Sequence, residues 1–190
     1  MSQRRIANAR YRRTQNKNKL HSTEKFKIKR EQDVFKAVLK RCIDLNWLYC
    51  TPASIITKEI LEEFGVKSTI KNGYASINGM FARWVCWTET DRNVLDSNSK
   101  LMQLRFGLKE EDIVLQEKEP EKHERIDKNS EENKEILKFN VHLFNRYQEN
   151  QAEFWRKDIE EEFREGWNKC LKYRDLIKKG VIKECQKLFK

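Results

Sequence analysis

The sequence lacks the features that mark secreted, membrane-spanning and zinc-binding proteins. No stretch approaches the roughly 18 apolar residues that a transmembrane helix requires, and no apolar run follows the basic N-terminus as in a signal peptide. None of the five cysteines forms a C-x-x-C pair, which argues against a zinc site built from cysteine pairs. We therefore expect an intracellular protein (in the cytoplasm, the nucleus or the interior of a particle) with free thiols and with neither metal nor other cofactor.

Charge is abundant, and its net excess lies at one end of the chain. Charged residues make up 37% of the 190 residues, against about 25% in ordinary globular proteins. Residues 1–30 contain eleven Lys or Arg and one acid, Glu24, whereas the other 160 residues carry 29 basic and 29 acidic side chains. The whole net charge of +10 therefore belongs to residues 1–30, which we call the basic arm.

The composition of the basic arm predicts contact with RNA or DNA. It has few large apolar side chains and no amphipathic period, so we expect a disordered or extended segment rather than a membrane-inserting helix. Arginine forks match phosphate geometry, and a tyrosine among them can stack on an unpaired base. A nuclear-localisation signal, a solubilising tail or contact with a membrane or an acidic protein surface would use the same residues. The candidate nucleic-acid-binding residues are Arg4, Arg5, Arg10, Tyr11, Arg12, Arg13, Lys17, Lys19, Lys25, Lys27, Lys29 and Arg30.

Apolar spacing in the next segment predicts an α+β core with a small antiparallel sheet packed by helices. Apolar residues recur at helical spacing over 31–46 and again after Thr51, the predicted N-cap, with Pro52 as the first helical residue and Gly65 as the C-terminal cap. The β-like segment "KSTIKNGYASING" and a hairpin at 81–96, "FARWVCWTETDRNVLD", follow. The many aromatic residues argue against a wholly disordered chain.

The rest of the chain divides into a polar segment and helices. Residues 109–135 are almost wholly charged or polar, which predicts a solvated linker or insertion. From 136 to 190 the pattern is helical, and Gly180 separates a long helix from a last one. We thus expect four parts: the arm 1–30, the α+β core 31–108, the linker, and C-terminal helices that pack on the core. The long helix has core positions at Trp155, Ile159, Phe163, Trp167 and Leu171.

Segment 47–96 has an order of elements known from one group of hydrolases. Cys50 heads a helix, where the helix dipole favours a thiolate, and "GYASING", an aromatic strand and "VLD" follow. This order resembles papain-like or transglutaminase-like cysteine hydrolases, in which a strand histidine and a strand aspartate follow the cysteine. The resemblance implies Cys50 as nucleophile and Asp96 as the orienting acid. The histidine should fall near Trp84 or Val85, where the sequence has none.

The three histidines lie elsewhere, so the resemblance implies a broken catalytic constellation. His21 lies in the arm, His123 in the linker and His142 in the C-terminal helices. A working hydrolase would need a histidine from an unexpected place, such as His142. In the structural alternative, Cys50 is a small buried residue that closes a helix end, and Asp96 is a turn former or helix cap.

Residues 51–72 also have the pattern of a helix-turn-helix. A helix from Thr51 and a turn at Gly65 would be followed by a short recognition helix, "KSTIKN", although the next residues alternate like a strand. In a further interpretation the middle segment is scaffold alone. Alternation in the hairpin then places Trp84 and Trp87 on opposite faces, one covered by the 52–64 helix and the other by the C-terminal helices.

Together these patterns predict a non-catalytic, nucleic-acid-associated protein, a structural component of a nucleoprotein assembly such as a ribonucleoprotein or a virion. The arm would bind the RNA or DNA backbone and the folded part would dock on protein neighbours. We expect no membrane partner and no small-molecule ligand. The alternatives are a cysteine hydrolase that uses Cys50 and a helix-turn-helix DNA-binding protein that uses residues 51–72.

Overall fold

Four helices and a five-stranded sheet make up the part of the chain that the computed structural model describes, residues 29–47, 49–96, 103 and 107–188. This arrangement confirms the predicted α+β class, with a small, mainly antiparallel sheet packed by helices and a helical C-terminal third. No helix in this part combines the length and the apolar character needed to cross a membrane. The helices are α1 (29–44), α2 (Cys50–Glu63), α3 (Glu131–Glu149) and α4 (Arg164–Leu188).

The sheet is built on one long hairpin. Strands β1 (Thr69–Ile77) and β2 (Phe81–Glu89) pair along their whole lengths, and residues 78–80 connect them, with φ angles of +51° at Asn78 and +64° at Gly79. Asn-Gly with two positive φ angles is the favoured sequence of a type I′ turn. The order is β3-β2-β1-β4, with β3 (Val94–Leu95) and β4 (Ile113–Gln116) antiparallel to their neighbours and β5 (Glu124–Arg125) parallel to β2.

Strand β1 contradicts the helix-turn-helix interpretation of residues 51–72. The predicted recognition helix "KSTIKN" falls on the start of β1, where Thr69 and Lys71 pair with Glu89 and Trp87 of β2. A helix-turn-helix needs a second helix to enter the major groove, and this segment has none.

Helix α2 begins at Cys50, one residue before the predicted N-cap. Tyr49 is the cap residue and makes no side-chain capping hydrogen bond, so Thr51 is the second helical residue and Pro52 the third. At the other end, Gly65 follows the helix with φ +72°, which confirms the predicted glycine cap. Ten of the fourteen residues of α2 are buried, so this helix lies at the centre of the core.

Residues 109–135, predicted as a solvated linker or insertion, contribute two short strands and a 3-10 helix to the folded part of the chain. Strand β4 pairs with β1, β5 pairs with β2, and a 3-10 helix (Ile126–Lys128) buries Asp127. No residue of β4 is fully buried, which explains its mixed composition. A strand of four residues is too short for its periodicity to stand out among charged neighbours. The division of the chain into four parts stays a prediction.

The C-terminal third is helical, but its helices have other bounds than predicted. Residues 151–163 form turns and a 3-10 helix (Glu161–Phe163), so the four-residue steps from Trp155 do not follow one helix. The stepping residues are nevertheless buried or half-buried, which confirms their place in the core. Gly180 lies inside the continuous helix α4, and a Cβ there would lie 3.2 Å from Nε of Arg41 in α1.

The two tryptophans of β2 lie on opposite faces, as alternation predicts. Trp84 belongs to the main core with α2 and the C-terminal helices, and its ring meets Phe144 edge to face at 6.1 Å. Trp87 belongs to a second, smaller cluster with Val85, to which β4 contributes Leu115. The C-terminal helices thus pack on the same face as α2, and the prediction that they cover the other face is wrong.

Two carboxylates tie the helices to distant segments. Glu31 of α1 is completely buried and accepts a hydrogen bond at 2.7 Å from Nδ2 of Asn93 in the turn between β2 and β3. Glu59 of α2 accepts hydrogen bonds from Nε1 of Trp155 at 2.6 Å and from Nε of Arg174 at 3.1 Å. Because hydrogen-bond donors face both carboxylates, the complete burial of Glu31 and the partial burial of Glu59 are compensated.

Candidate functional site

The two residues that the hydrolase resemblance implies lie close together at the N-terminal end of α2. Cys50 is the first residue of the helix and is 4% exposed. Asp96 directly follows β3 and is 8% exposed. The Asp96 carboxylate lies close enough for its charge to act on the Cys50 thiol. Three polar side chains, Arg83, Asp127 and Asn140, line a small void beside Cys50, and we call them together with Cys50 the Cys50 cluster.

Asn140, from the middle of α3, is the direct partner of the thiol. Its Oδ1 accepts hydrogen bonds from the Cys50 thiol at 3.4 Å and from the Thr51 amide at 3.0 Å. Thr51 Oγ1 in turn donates to the Asn140 carbonyl at 2.9 Å, and Asn140 Nδ2 donates to the carbonyl of Ile136. The first amides of a helix need acceptors, and the Tyr49 side chain supplies none, although its backbone carbonyl accepts the Ala53 amide at 3.3 Å. Asn140 is therefore an N-cap for α2 that comes from another helix.

Sequence reasoning did not identify Asn140, although the sequence contains a signal for it. The residue lies within the apolar stretch "LKFNVHLF", at a position that α3 buries to 3% exposure. A buried amide needs hydrogen-bond partners for its donor and its acceptor. The position could therefore have been marked as a polar contact within the core, but its partner, 90 residues earlier in the chain, could not.

The environment of Cys50 disfavours the thiolate. Burial raises the pKa of the Cys50 thiol to about 11, although the positive charge of Arg83 and a backbone hydrogen bond from Cys86 lower it and the Asp96 carboxylate raises it. The thiolate is the nucleophilic form of cysteine, so only a very small fraction of Cys50 is reactive near pH 7.

No described histidine contacts the Cys50 thiol. His142 follows Asn140 by two residues, about 200° around the helix, and its side chain lies against Phe163 (4.6 Å between ring centroids) and Glu160. Nε2 of His142 is 2.9 Å from the Glu160 carboxylate without hydrogen-bond alignment. His123 precedes β5. His142 therefore does not supply the missing base.

Other groups occupy the place that the resemblance gives to the histidine. Trp84 packs into the main core, and Val85 lies on the opposite face of β2. The strand residue whose charge acts on the thiol is Arg83. A guanidinium stays protonated and has no acceptor atom, so Arg83 cannot act as a general base. The described residues thus provide a thiol and a carboxylate without a group to carry the proton between them.

The space beside the Cys50 thiol is too small for a substrate. The void between β2 and α3 measures about 10 Å³, with Arg83, Trp84, Asp127 and Asn140 in its walls. This volume holds at most one water molecule. A carbonyl group could reach the sulfur only if α3 separated from α2, which would break the hydrogen bonds between Asn140 and the helix start.

Asp127 belongs to the same cluster and has a structural role. Its carboxylate accepts a hydrogen bond from the Trp84 amide at 2.8 Å and two from the Arg125 guanidinium, at 2.8 and 2.6 Å. Arg125 also pairs with Glu119 at 2.7 Å and lies 4.8 Å above the ring of Tyr74. Because the carboxylate is buried and fully paired, this network joins the 3-10 helix to β2.

Most of the candidate nucleic-acid-binding residues lie outside the described residues. Only Lys29 and Arg30 are described, and they form the first turn of α1. The Arg30 guanidinium lies 5.2 Å from the centre of the Phe64 ring, so this residue packs on the folded domain. The predicted boundary at residue 30 therefore falls inside a helix. The structural state and the partners of the arm residues before Lys29 stay predictions.

Neither metal chemistry nor a known relative identifies the function. Among the described residues, no group of three His, Cys, Asp or Glu side chains is placed to hold a metal ion. All five cysteines are buried free thiols. No protein-family model matches this chain, and no curated protein or solved structure is significantly similar to it.

Proposed function

We propose that this protein is a non-catalytic, nucleic-acid-associated component of a nucleoprotein assembly, held to RNA or DNA by its basic arm. The observation that carries the proposal is the charge distribution: residues 1–30 hold the whole net charge of +10. Phosphate neutralisation by Lys and Arg dominates the affinity of sequence-independent binding. The rest of the chain is neutral, so the arm is the segment that attracts a polyanion, and the folded part is free to dock on protein neighbours.

The Cys50 cluster supports the non-catalytic half of the proposal. Catalysis by cysteine requires a thiolate, a base within hydrogen-bond reach and room for the substrate. Cys50 has a pKa raised to about 11 by burial, an amide as its side-chain partner and a void of about 10 Å³ beside it. The cysteine-hydrolase alternative would need a rearrangement of α2 and α3.

Deletion of residues 1–28 tests the proposal, because it removes nine of the arm's eleven cations and ends before the first described residue of α1. We expect the shortened chain to keep its thermal unfolding midpoint and to lose most of its affinity for a single-stranded RNA or a duplex DNA, measured by fluorescence anisotropy. A control for loss of positive charge from the folded part replaces three exposed lysines of α4, Lys172, Lys179 and Lys183, with Gln and should bind as the parent chain does. Undiminished binding after the deletion would overturn the proposal.

A further inference from the structure

An open groove of about 670 Å³ lies along the solvent side of α3. Its floor is apolar and consists of Leu137, Val141 and the ring of Phe163, all half-buried. Its rim is basic. We call it the lysine-rimmed groove after Lys128, Lys134 and Lys138, which line it together with His142, Asn145 and Glu162.

The positive charge of the rim is available to a partner. Lys138 forms an ion pair with Glu162, and Lys134 pairs with Glu131 at 2.6 Å. Both lysines are more than half exposed, so these pairs are weak and a partner's carboxylate can replace them. Lys128 has no ion pair with any residue that the structure describes. Three cations around an apolar floor are complementary to an acidic, amphipathic ligand.

The dimensions of the groove match a short helix. On α3 the lining residues extend from Lys134 to Asn145, about 16 Å or three helical turns at 1.5 Å per residue. The second wall is the 3-10 helix Glu161–Phe163. Leu137 and Val141 lie one turn apart, which is the spacing that apolar side chains of an incoming helix need at positions i, i+4 and i+7.

The aromatic rings in the groove are already stacked, which disfavours nucleic acid as its occupant. One contact of Phe163 is the His142 ring, at 4.6 Å between centroids and 28° between planes. A second is Phe139, at 5.7 Å, and the Lys138 ammonium lies 5.4 Å from the ring centre. Binding of single strands usually relies on open aromatic faces on which bases stack. The floor instead consists of the aliphatic side chains of Leu137 and Val141 and a Phe163 ring that already has these contacts.

We infer that the lysine-rimmed groove docks an acidic amphipathic helix of a protein neighbour. The apolar face of that helix contacts Leu137, Val141 and Phe163, and its carboxylates pair with the three rim lysines. The inference rests on the protein-neighbour part of the proposed function and makes no use of the basic arm, so the two can be tested separately.

The test uses the full chain and a fluorescently labelled acidic peptide of about 14 residues, with Leu at i, i+4, i+7 and i+11 and Glu on the flanks. A permuted peptide of equal composition, with its Leu residues dispersed around the helix, is the control for charge alone. Binding is followed by fluorescence anisotropy. We expect the permuted peptide to bind about tenfold more weakly or worse, because it cannot place an apolar face on the floor.

Two sets of lysine substitutions locate the binding. Lys128→Gln, Lys134→Gln and Lys138→Gln together should weaken binding of the amphipathic peptide by about tenfold, because all three remove charge from the rim. The control variant with Lys172→Gln, Lys179→Gln and Lys183→Gln loses the same charge from exposed sites on α4. Its affinity for the amphipathic peptide should change by less than about twofold. Circular dichroism melting verifies that both variants fold; all six lysines are exposed.

Three outcomes of the peptide assay would overturn the inference. They are the absence of binding by the amphipathic peptide, equal affinity for both peptides, and an equal effect of both sets of lysine substitutions. An equal loss would show attraction to positive charge in general, and no loss in either variant would show attraction to the arm. A short single-stranded RNA in the same assay tests whether the groove binds nucleic acid instead. If the variant with the three rim substitutions loses affinity for RNA and retains its affinity for the peptide, the groove is a nucleic-acid site and the inference fails. Undiminished RNA binding after arm deletion would overturn the proposed function and leave the groove untouched.

Discussion

Asn140 supplies α2 with the capping acceptor that Tyr49 does not provide. Its Oδ1 accepts the Thr51 amide and the Cys50 thiol, and its own amide is satisfied by the Ile136 carbonyl. A buried donor left without a partner destabilises a fold by about 1–3 kcal/mol, and a lost N-cap by about 0.5–2 kcal/mol.

The substitution Asn140→Ala tests this role. We expect it to lower the free energy of unfolding by about 1–3 kcal/mol, since it leaves the Thr51 amide without its acceptor. Urea denaturation measures the change. The same substitution at the exposed Asn145 of α3 serves as control and should stay within about 0.5 kcal/mol of the parent. Equal effects at the two positions would show that the contact with α2 contributes nothing.

The buried Cys50 thiol predicts a dependence of stability on alkaline pH. Burial raises its folded-state pKa from 9.0 to about 11, so the folded state holds this proton more tightly than the unfolded state. The stabilisation is complete below about pH 9 and is lost as the pH rises toward 11, with a slope of up to about 1.4 kcal/mol per pH unit.

A comparison with Cys50→Ala isolates this contribution from the other groups that titrate at high pH. Between pH 9 and 11 the free energy of unfolding should fall more steeply for the parent chain than for the variant, as measured by urea denaturation at each pH. Parallel curves for the two proteins would show that the thiol is not shielded from water. Rapid alkylation of Cys50 at pH 7 in the folded protein would contradict its burial in the same way.

At the scale of elements, the pairing of β1 with β4 depends on Gly73. A Cβ at this position would lie 2.3 Å from the carbonyl oxygen of Gln116 and 3.0 Å from the Trp87 ring. Both neighbours are fixed, one as backbone and the other as a buried ring, so neither can move aside easily. The close approach explains why a glycine lies in the middle of an otherwise continuous strand.

Gly73→Ala should therefore push β4 away from β1 and lower the free energy of unfolding by about 1–3 kcal/mol. Hydrogen exchange of the β4 amides should accelerate more than that of β2. Gly79→Ala, in the hairpin turn, makes the same chemical change in open space and acts only through its φ of +64°, so it should leave β4 protected. Unchanged protection of β4 in Gly73→Ala would contradict the proposed contact.

Sequence patterns predicted the elements in which the apolar pattern repeats several times and a turn or cap residue marks the end. Helix α2 with Gly65 and the hairpin with Asn78-Gly79 combine several turns or alternations with a turn signal. Strand β4 has four residues among charges, and its partner lies far away in sequence. The apolar residues at four-residue steps from Trp155 onward are buried or half-buried, as predicted. The helix predicted to carry them begins only at Arg164, and residues 155–163 place their side chains in the core from turns and a 3-10 helix.

Less of the site than of the fold could be predicted. The hydrolase resemblance names Cys50 and Asp96, which do lie close together. The residues that determine the chemistry of the thiol, Arg83 and Asn140, approach it through tertiary packing, and a single sequence contains no record of that packing. The sequence alone shows that β2 has no histidine. The small void beside Cys50 and the raised pKa of its thiol follow only from the structure.

At the scale of the whole molecule, the neutral body and the charged arm predict a characteristic salt dependence. If the arm makes the phosphate contacts, the logarithm of the binding constant should fall linearly with the logarithm of salt concentration, by about 0.9 per phosphate neutralised on duplex DNA and about 0.7 on single strands. The slope should nearly vanish in the chain without residues 1–28. Binding that does not weaken with salt would show that contacts other than those between the arm and the nucleic-acid phosphates supply the affinity.

The link between Asn140 and the start of α2 joins residues 89 and 90 positions apart in the chain. During synthesis, α2 leaves the ribosome long before α3 exists. Its first turn then has no acceptor for the Thr51 amide, whereas the β1–β2 hairpin can pair at once from local contacts. Distant contacts close late and slowly. The first turn of α2, the most apolar of these helices, therefore gains its capping acceptor only after the chain has been synthesised past residue 140.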